Sequence, residues 1–123
     1  EKISELNNWL ENENFDEKVR GRGLFIKGWA PLTLILSPPS VGGFLTHCGW
    51  NSTIEGVCSG LPMITWPLFA EQFLNEKLIV HVLKVGVRIG VEVPVRWGDE
   101  EKVGAMVKKS RIMEAIEMVH GER

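Results

Sequence analysis

The sequence has little excess charge of either sign and no long apolar run. Its 14 Lys and Arg side chains against 16 Asp and Glu give a formal net charge of -2 at pH 7. A protein that binds nucleic acid by neutralising phosphates carries a basic excess, so that class is disfavoured. A helix that crosses a bilayer needs roughly 18 or more consecutive apolar residues. Lys27, Pro31 and the Pro38–Pro39 pair interrupt the most hydrophobic third of the chain, so we expect no membrane span.

Thiols and metal ligands are also scarce. Two cysteines, Cys48 and Cys58, are too few for a disulfide framework, and three widely spaced histidines do not form a zinc site. The two aspartates, Asp16 and Asp99, lie far apart in the sequence, so no Asp-x-Asp pair holds a divalent metal on a diphosphate. We therefore expect a cytoplasmic protein with reduced thiols and no bound metal, in which Cys58 belongs to the core.

Hydrophobic spacing predicts an alternation of helices and strands. Helices are predicted within residues 1–20 and over 32–36, 52–59, 71–84 and 110–119. Strands are predicted over 24–28, 42–46, 62–66 and 85–90, and the stretch 92–109, with Trp97, is charged and irregular. This alternation with short connections is typical of an α/β fold with a parallel sheet. The strands are too few for a complete doubly wound domain, and the chain starts without methionine, so we expect a piece of a longer protein.

Two of the predicted helices are expected to bury an apolar face against the sheet. In the helix over 71–84 this face consists of Phe73, Leu74, Leu78, Val82 and Leu83. In the helix over 110–119 it consists of Ile112, Met113, Ile116 and Val119.

Two common nucleotide-binding motifs are missing. Gly21 and Gly23 precede the first predicted strand instead of following one, so they do not form a dinucleotide fingerprint. The sequence also contains no GxxxxGK phosphate loop. These absences exclude a NAD-binding module of the Rossmann type.

The turn after the predicted strand 42–46 carries a cluster of polar residues. In parallel sheets, ligands bind beyond the carboxyl ends of the strands, where helices begin. His47 follows the strand, Gly49 permits a close backbone approach, and Asn51 with Ser52 precedes a helix. Unpaired backbone N–H groups and the helix dipole favour an anion at such a place, and the polar side chains add donors. The pattern predicts a site for a phosphate or pyrophosphate.

Structural roles compete with this interpretation. The stretch 52–55 (STIE) fits a capping box, in which serine and glutamate satisfy backbone donors, so spacing alone favours a capping role for Ser52. Capping and phosphate contact are compatible, because both use the unsatisfied start of the helix. Trp29, Trp50 and Trp66 fall at ends of predicted elements, where an indole can stack on a flat ligand, but burial in the core is the default for each.

Residues 29–72 read WAPLTLILSPPSVGGFLTHCGWNSTIEGVCSGLPMITWPLFAEQ. This stretch closely resembles, over its full length, the signature box of plant family 1 UDP-sugar-dependent glycosyltransferases. HCGWNS followed by E, then P and a terminal EQ, is very hard to reach by chance. The flanks over 13–28 and 73–109 resemble members that glycosylate terpenoids, steroids or phenolics. The resemblance therefore covers nearly the whole chain.

The resemblance implies a particular fold and activity. Residues 1–123 would form part of the C-terminal, UDP-sugar-binding domain of a GT-B enzyme, a partial Rossmann-like parallel sheet with flanking helices. The enzyme would be an inverting, metal-independent UDP-glucosyltransferase without a cofactor, acting on a hydroxyl of a small lipophilic plant metabolite. In this family, an N-terminal domain outside the present sequence binds the acceptor and carries the general base, a histidine backed by an aspartate. No catalytic residue is therefore expected here, and the alternative is an inert truncated or pseudogene product that at most binds UDP-sugar.

The resemblance also implies a contact for each matching residue on the UDP side. The indole of Trp29 would stack on uracil, and the backbone of Ala30 would hydrogen-bond the base edge. Glu55 would accept hydrogen bonds from the ribose hydroxyls. The diphosphate would be contacted by His47, Asn51 and Ser52.

On the sugar side, the implied contacts are the backbone of Trp50 and the side chains of Glu71 and Gln72. Glutamine at the end of the box is typical of members that use UDP-glucose, whereas users of UDP-galactose tend to have histidine. The sequence departs from the family pattern at Leu32, where glutamine is usual, and at Pro38, where histidine is frequent. Leu32 removes a polar contact that the family makes with the ribose side of the donor.

Overall fold

The computed structural model describes residues 2–96, 98–99 and 106–121. Its contacts divide the chain into an N-terminal unit, Glu1–Ala30, and a C-terminal unit, Pro31–Arg123. Among the described residues, no helix combines the length and apolarity that a bilayer span requires. The prediction for Trp97 lies outside the described residues.

The N-terminal unit contains the predicted surface helix, α1 (Lys2–Asn12), and a short helix, α2 (Phe15–Lys18). The ring of Phe15 joins two other aromatic rings, with centroids 6.1 Å from Trp9 and 6.3 Å from Phe25. The predicted strand over 24–28 is wrong, because these residues are exposed and form no regular structure. A short apolar run does not define a strand unless a neighbouring strand supplies hydrogen bonds, and none does among the described residues.

The C-terminal unit alternates helices and strands in the predicted order. Its elements are α3 (Leu32–Leu36), β1 (Phe44–Thr46), α4 (Trp50–Cys58), β2 (Met63–Thr65), α5 (Gln72–Lys77), a π-helical turn (Leu78–Val82), β3 (Gly86–Arg88) and α6 (Lys109–Gly121). The strands form a parallel sheet in the order β1-β2-β3. Phe44 is in register with Met63, and Met63 with Gly86. The prediction of a parallel α/β sheet is therefore confirmed, with shorter strands than expected.

The core lies on both sides of β2, whose three residues are all buried. One cluster joins the sheet to α6, and it consists of Ile64, Ile89, Val91, Ala115 and Val119. The other lies under the β1–α4 loop, and it consists of Cys48, Met63 and Ile79. Helix α4 packs closely on this second cluster, since a Cβ at Gly56 would lie 2.6 Å from the sulfur of Met63.

The prediction that Cys58 belongs to the core is wrong, because Cys58 is exposed. Gly56 faces the sheet, and each helical residue turns the chain by about 100°. Two residues later, the side chain of Cys58 therefore points towards solvent at the last position of α4.

The prediction for the buried face of the helix over 71–84 is only partly right, since Phe73 packs against the first cluster but other predicted residues are exposed. Leu74 and Val82 are each 68% exposed. The buried face follows the expected i, i+3, i+4, i+7 spacing but is mostly polar, and it consists of Gln72, Asn75, Glu76 and Ile79. The α-helix ends at Lys77, and the following π-helical turn, with a hydrogen bond of 2.9 Å from Leu83 N to Leu78 O, changes the rotation of later residues.

Hydrogen bonds from distant parts of the chain make this polar face stable. The carboxylate of Glu76, only 2% exposed, accepts a hydrogen bond from Thr65 Oγ1 at 2.6 Å. It also accepts one from Arg88 Nε at 2.8 Å, so it meets both β2 and β3. Buried polar groups with such partners do not carry the desolvation penalty that unpaired ones do.

For α6 the prediction is partly right. Ala115 and Val119 are buried and Ile112 packs against them, whereas Met113 and Ile116 are exposed.

Candidate functional site

A cleft of about 410 Å³ opens where β1 ends and α4 begins. Its lining consists of His47, Gly49, Trp50, Asn51, Ser52 and Glu71. The three polar residues that the sequence predicts at an anion site therefore meet around one cleft, together with two of the residues predicted on the sugar side. The cleft lies beyond the carboxyl end of a parallel strand, as open α/β sheets favour.

The predicted capping box is wrong, because α4 begins two residues before Ser52. Gly49 is the N-cap and no side chain caps the helix. The first intrahelical hydrogen bond runs from Thr53 N to Gly49 O at 2.9 Å. The backbone N–H groups of Trp50, Asn51 and Ser52 belong to the first turn, which has no intrahelical acceptors. Ser52 is thereby free to act as a side-chain donor in a helix N-terminus suited to an anion.

The loop before α4 is held in an unusual conformation. Cys48 has a φ of 68°, in the left-handed region that residues other than glycine rarely adopt. Its N–H donates to Thr46 Oγ1 at 3.1 Å, and its carbonyl oxygen accepts from Asn75 Nδ2 at 2.8 Å. Burial, with a smaller contribution from the charge of Glu76, raises the pKa of the Cys48 thiol to about 12. Cys48 is therefore a neutral structural thiol at physiological pH.

Gly49 leaves space for a side chain of the protein itself. A Cβ at this position would lie 2.5 Å from Nε2 of His47, so the imidazole occupies the space that a side chain would fill. His47 is exposed, and its ring lies directly over the N-cap of α4. The ring and the helix start thus face the same cleft.

The two residues predicted on the sugar side occupy different environments. Glu71 is exposed at the N-cap of α5 and lines the cleft. Gln72 is 4% exposed and is not part of the lining. Its Oε1 accepts hydrogen bonds from the backbone N–H groups of Leu68 (2.8 Å) and Phe69 (3.1 Å), which orders the loop before α5. These two hydrogen bonds use the carbonyl oxygen of the side-chain amide and not its NH₂ group.

The remaining predicted residues lie outside this lining. Glu55 is half-buried in α4, four residues after Asn51 and hence on the same helix face. Trp29 and Ala30 belong to the N-terminal unit. The indole of Trp29 is 87% exposed, so the default expectation of burial is wrong for it.

Sequence reasoning missed the residues that support the loop, namely Thr46 and Asn75. The signal for Asn75 is the helical spacing of the polar residues Gln72, Asn75 and Glu76 next to the apolar Phe73 and Leu74. No group of three or more His, Cys, Asp or Glu side chains close enough to hold a metal occurs among the residues that the structure describes.

Comparison with known proteins gives consistent matches. Residues 11–96 match the family model for UDP-glucoronosyl and UDP-glucosyl transferases. UDP-glycosyltransferase 73D1 of Arabidopsis thaliana is 69% identical over 115 residues, which cover 94% of this chain and 23% of that protein. UDP-glycosyltransferase 73C5 of the same plant is 60% identical over 122 residues, which cover 99% of this chain and 25% of that protein. The chain thus spans about a quarter of the length of these relatives.

Solved structures give the same picture. Glycyrrhiza uralensis UGT73P12, complexed with glycyrrhetinic acid 3-O-monoglucuronide, superposes with a TM-score of 0.81 and 47% identity over 90% of this chain and 23% of that chain. A transferase from Siraitia grosvenorii in complex with UDP superposes with a TM-score of 0.70 and 39% identity over 87% of this chain and 23% of that chain. The predicted fold class, a partial Rossmann-like sheet within a GT-B fold, is confirmed.

Proposed function

Since this chain belongs to the UDP-glucoronosyl and UDP-glucosyl transferase family, we propose that it binds the UDP-sugar donor of a UDP-glucosyltransferase. The observation that carries the proposal is the cleft at the start of α4. Three first-turn amides and three side-chain donors, those of His47, Asn51 and Ser52, surround this cleft. The diphosphate of the donor is the anion that suits such a set of donors.

The same donors suit the chemistry of sugar transfer. When the bond between the sugar and UDP breaks, negative charge develops on the leaving diphosphate. Preformed backbone and side-chain donors stabilise such a charge without having to reorganise during the reaction. A neutral or protonated imidazole at His47 adds a further donor. We therefore propose a metal-independent departure of UDP, supported by the composition of this donor set.

For the nucleoside, we propose that Trp29 stacks on uracil and that the backbone of Ala30 contacts its edge. The 87% exposure of the Trp29 indole supports this role, because the ring is available to a ligand. Glu55 is proposed to accept the ribose hydroxyls. Its place one turn beyond Asn51 on the same face of α4 supports a contact next to the diphosphate.

For the sugar, we propose contacts from the backbone of Trp50, the carboxylate of Glu71 and the NH₂ group of Gln72. Trp50 and Glu71 line the cleft of His47, which supports both assignments. Glucose is the proposed sugar because Gln72 closes the signature box.

The parent enzyme is proposed to be an inverting transferase that glycosylates a hydroxyl of a small lipophilic plant metabolite, such as a terpenoid, steroid or phenolic. The crystallised relative from Glycyrrhiza uralensis, bound to a glycyrrhetinic acid glucuronide, supports an acceptor of this kind. We propose that an N-terminal domain of the parent enzyme binds the acceptor and carries the catalytic base. Two unpaired cysteines support the proposed cytoplasmic location.

Calorimetric titration of the chain with UDP and with uridine tests the proposal. We expect UDP to bind more tightly than uridine, and His47→Ala to lower UDP affinity about 10- to 100-fold, since a charge-assisted hydrogen bond contributes roughly 1.5–3 kcal/mol. Uridine affinity should not change. His120→Ala, at an exposed histidine of α6, is the matched control. A folded chain that binds neither ligand would instead support the inert alternative.

A further inference from the structure

The geometry points to Asn75 as the positioning residue for the loop that carries the diphosphate donors, an inference that rests on the proposed function. Asn75 is 7% exposed on the polar face of α5. Its side chain crosses to the β1–α4 loop, where Nδ2 donates to the carbonyl oxygen of Cys48 at 2.8 Å. Asn75 lies outside the cleft lining, so it acts through the loop.

The hydrogen bond from Asn75 orients a peptide group next to the cleft. In a trans peptide the carbonyl and the following N–H point in opposite directions. Fixing the Cys48 carbonyl towards α5 therefore fixes the Gly49 N–H on the opposite side of the peptide plane. Gly49 lines the cleft, caps α4 and packs against the imidazole of His47. One distant side chain thus sets the direction of a backbone donor at the anion site.

The conformation of Cys48 explains why the loop needs such support. A left-handed conformation is unfavourable for a residue other than glycine, so it persists only where the surroundings hold it. Cys48 is held from β1 by Thr46 Oγ1 and from α5 by Asn75. Without Asn75, the restraint on Cys48 from α5 is lost, whereas its hydrogen bonds with Thr46 of β1 remain.

Asn75 also connects the two proposed parts of the donor site. Its backbone N–H donates to Glu71 O at 3.0 Å, so the two residues share one turn of helix. Glu71 belongs to the sugar side of the cleft, and the loop after β1 belongs to the diphosphate side. The tether from Asn75 to Cys48 therefore fixes the spacing between these two groups of ligand contacts.

Asn75→Asp tests this role, because aspartate has the same shape and, when ionised, lacks the donor. We expect UDP affinity to fall roughly tenfold or more, as the loss of a buried hydrogen bond allows, with uridine affinity unchanged. Thr65→Val is the matched control. It removes the buried hydrogen bond that Thr65 donates to Glu76, the next residue of α5, and leaves the hydrogen bonds of the β1–α4 loop unchanged. We expect this control to keep the ratio of UDP to uridine affinity.

A second readout reports on the loop without any ligand. In a Cys58→Ser background, Cys48 is the remaining thiol, and it is fully buried. Asn75→Asp should increase the rate at which a disulfide reagent labels Cys48, by more than Thr65→Val does. Thr46→Val, which removes the hydrogen bond that Cys48 N donates to Thr46 Oγ1, should give the same pattern. If the aspartate variant does not fold, this variant decides whether hydrogen bonds to the Cys48 backbone hold the loop.

The inference is overturned if folded Asn75→Asp labels at the unsubstituted rate and keeps the ratio of UDP to uridine affinity. It is also overturned if Thr65→Val shows the same changes, because Asn75 would then only stabilise the helix. If the unsubstituted chain binds UDP no better than uridine, the proposed function fails, and the labelling rates alone decide whether Asn75 positions the loop.

Discussion

The two units of the chain differ in how their aromatic and apolar side chains are used. None of the described residues of the N-terminal unit is buried, and its rings meet only through the contacts of Phe15 with Trp9 and Phe25. The C-terminal unit buries two apolar clusters around β2. Apolar content alone therefore does not make a core. A sheet with helices on it gives these side chains a surface on which to pack.

The difference matters for the residues proposed to contact the donor, because Trp29 belongs to the N-terminal unit and His47, Asn51 and Ser52 belong to the C-terminal unit. The residues proposed to contact the diphosphate follow a loop that buried hydrogen bonds hold in place. The proposed uracil platform, Trp29, belongs to the unit without buried residues. We therefore expect contributions from the two units to be separable by mutation.

The largest expected effect concerns the core. Ile79→Ala, at a fully buried residue, should lower the free energy of unfolding by about 2–5 kcal/mol through lost burial and the cavity it leaves. Ile3→Ala, at a residue that is 77% exposed, should change it by less than about 0.5 kcal/mol. Urea unfolding followed by circular dichroism measures both. Equal effects would contradict the contrast between the units.

A smaller effect is expected from the proposed uracil platform. Trp29→Ala should weaken binding of both UDP and uridine by ~1–3 kcal/mol, since stacking of a base on an aromatic ring contributes that amount. This pattern differs from that of His47→Ala, which should affect UDP alone. Trp9→Ala is the control within the same unit, at a half-exposed indole. Unchanged uridine binding in Trp29→Ala would remove Trp29 from the site.

The smallest expected effect is a dependence of stability on alkaline pH in the C-terminal unit. The pKa of Cys48 is raised by burial from 9.0 to about 12, so the folded state keeps a proton that the unfolded state releases above pH 9. Stability from this group is complete below pH 9 and is lost as the pH rises towards 12. The slope is at most about 1.4 kcal/mol per pH unit.

Urea unfolding at several pH values between about 8 and about 11 measures this slope. Cys48→Ala should remove the contribution, and an identical slope in that variant would refute it. In the N-terminal unit, a pKa shift of the opposite sign occurs at Glu13, whose pKa is lowered by an exposed ion pair with Lys18.

The position of the cleft was predictable from the sequence. Strand ends and helix starts follow from local patterns, and parallel strands place their carboxyl ends at one edge, so His47, Asn51 and Ser52 meet as expected. The exact start of α4 was not predictable from the capping box, because Gly49, which lies beside the ring of His47, takes the N-cap position.

The buried face of α5 was not predictable from hydrophobic spacing. Asn75 and Glu76 are buried because their partners, Cys48, Thr65 and Arg88, come from distant parts of the chain. A helical periodicity that counts only apolar residues therefore does not identify this polar face as the buried one. The apolar run over 24–28 does not form a strand for a related reason. Hydrogen bonding between strands depends on the tertiary fold and not on the local sequence.

The orientation of the Gln72 side chain has a consequence for the proposed contact with the sugar. Two backbone amides fix the orientation of this side-chain amide, so in the proposed contact its NH₂ group would act only as a donor. A sugar oxygen in this proposed contact would have to offer a lone pair, and its own hydrogen would need an acceptor elsewhere. A stereoisomer that turns this oxygen away would lose the contact, because inverting the amide would break its hydrogen bonds with Leu68 and Phe69.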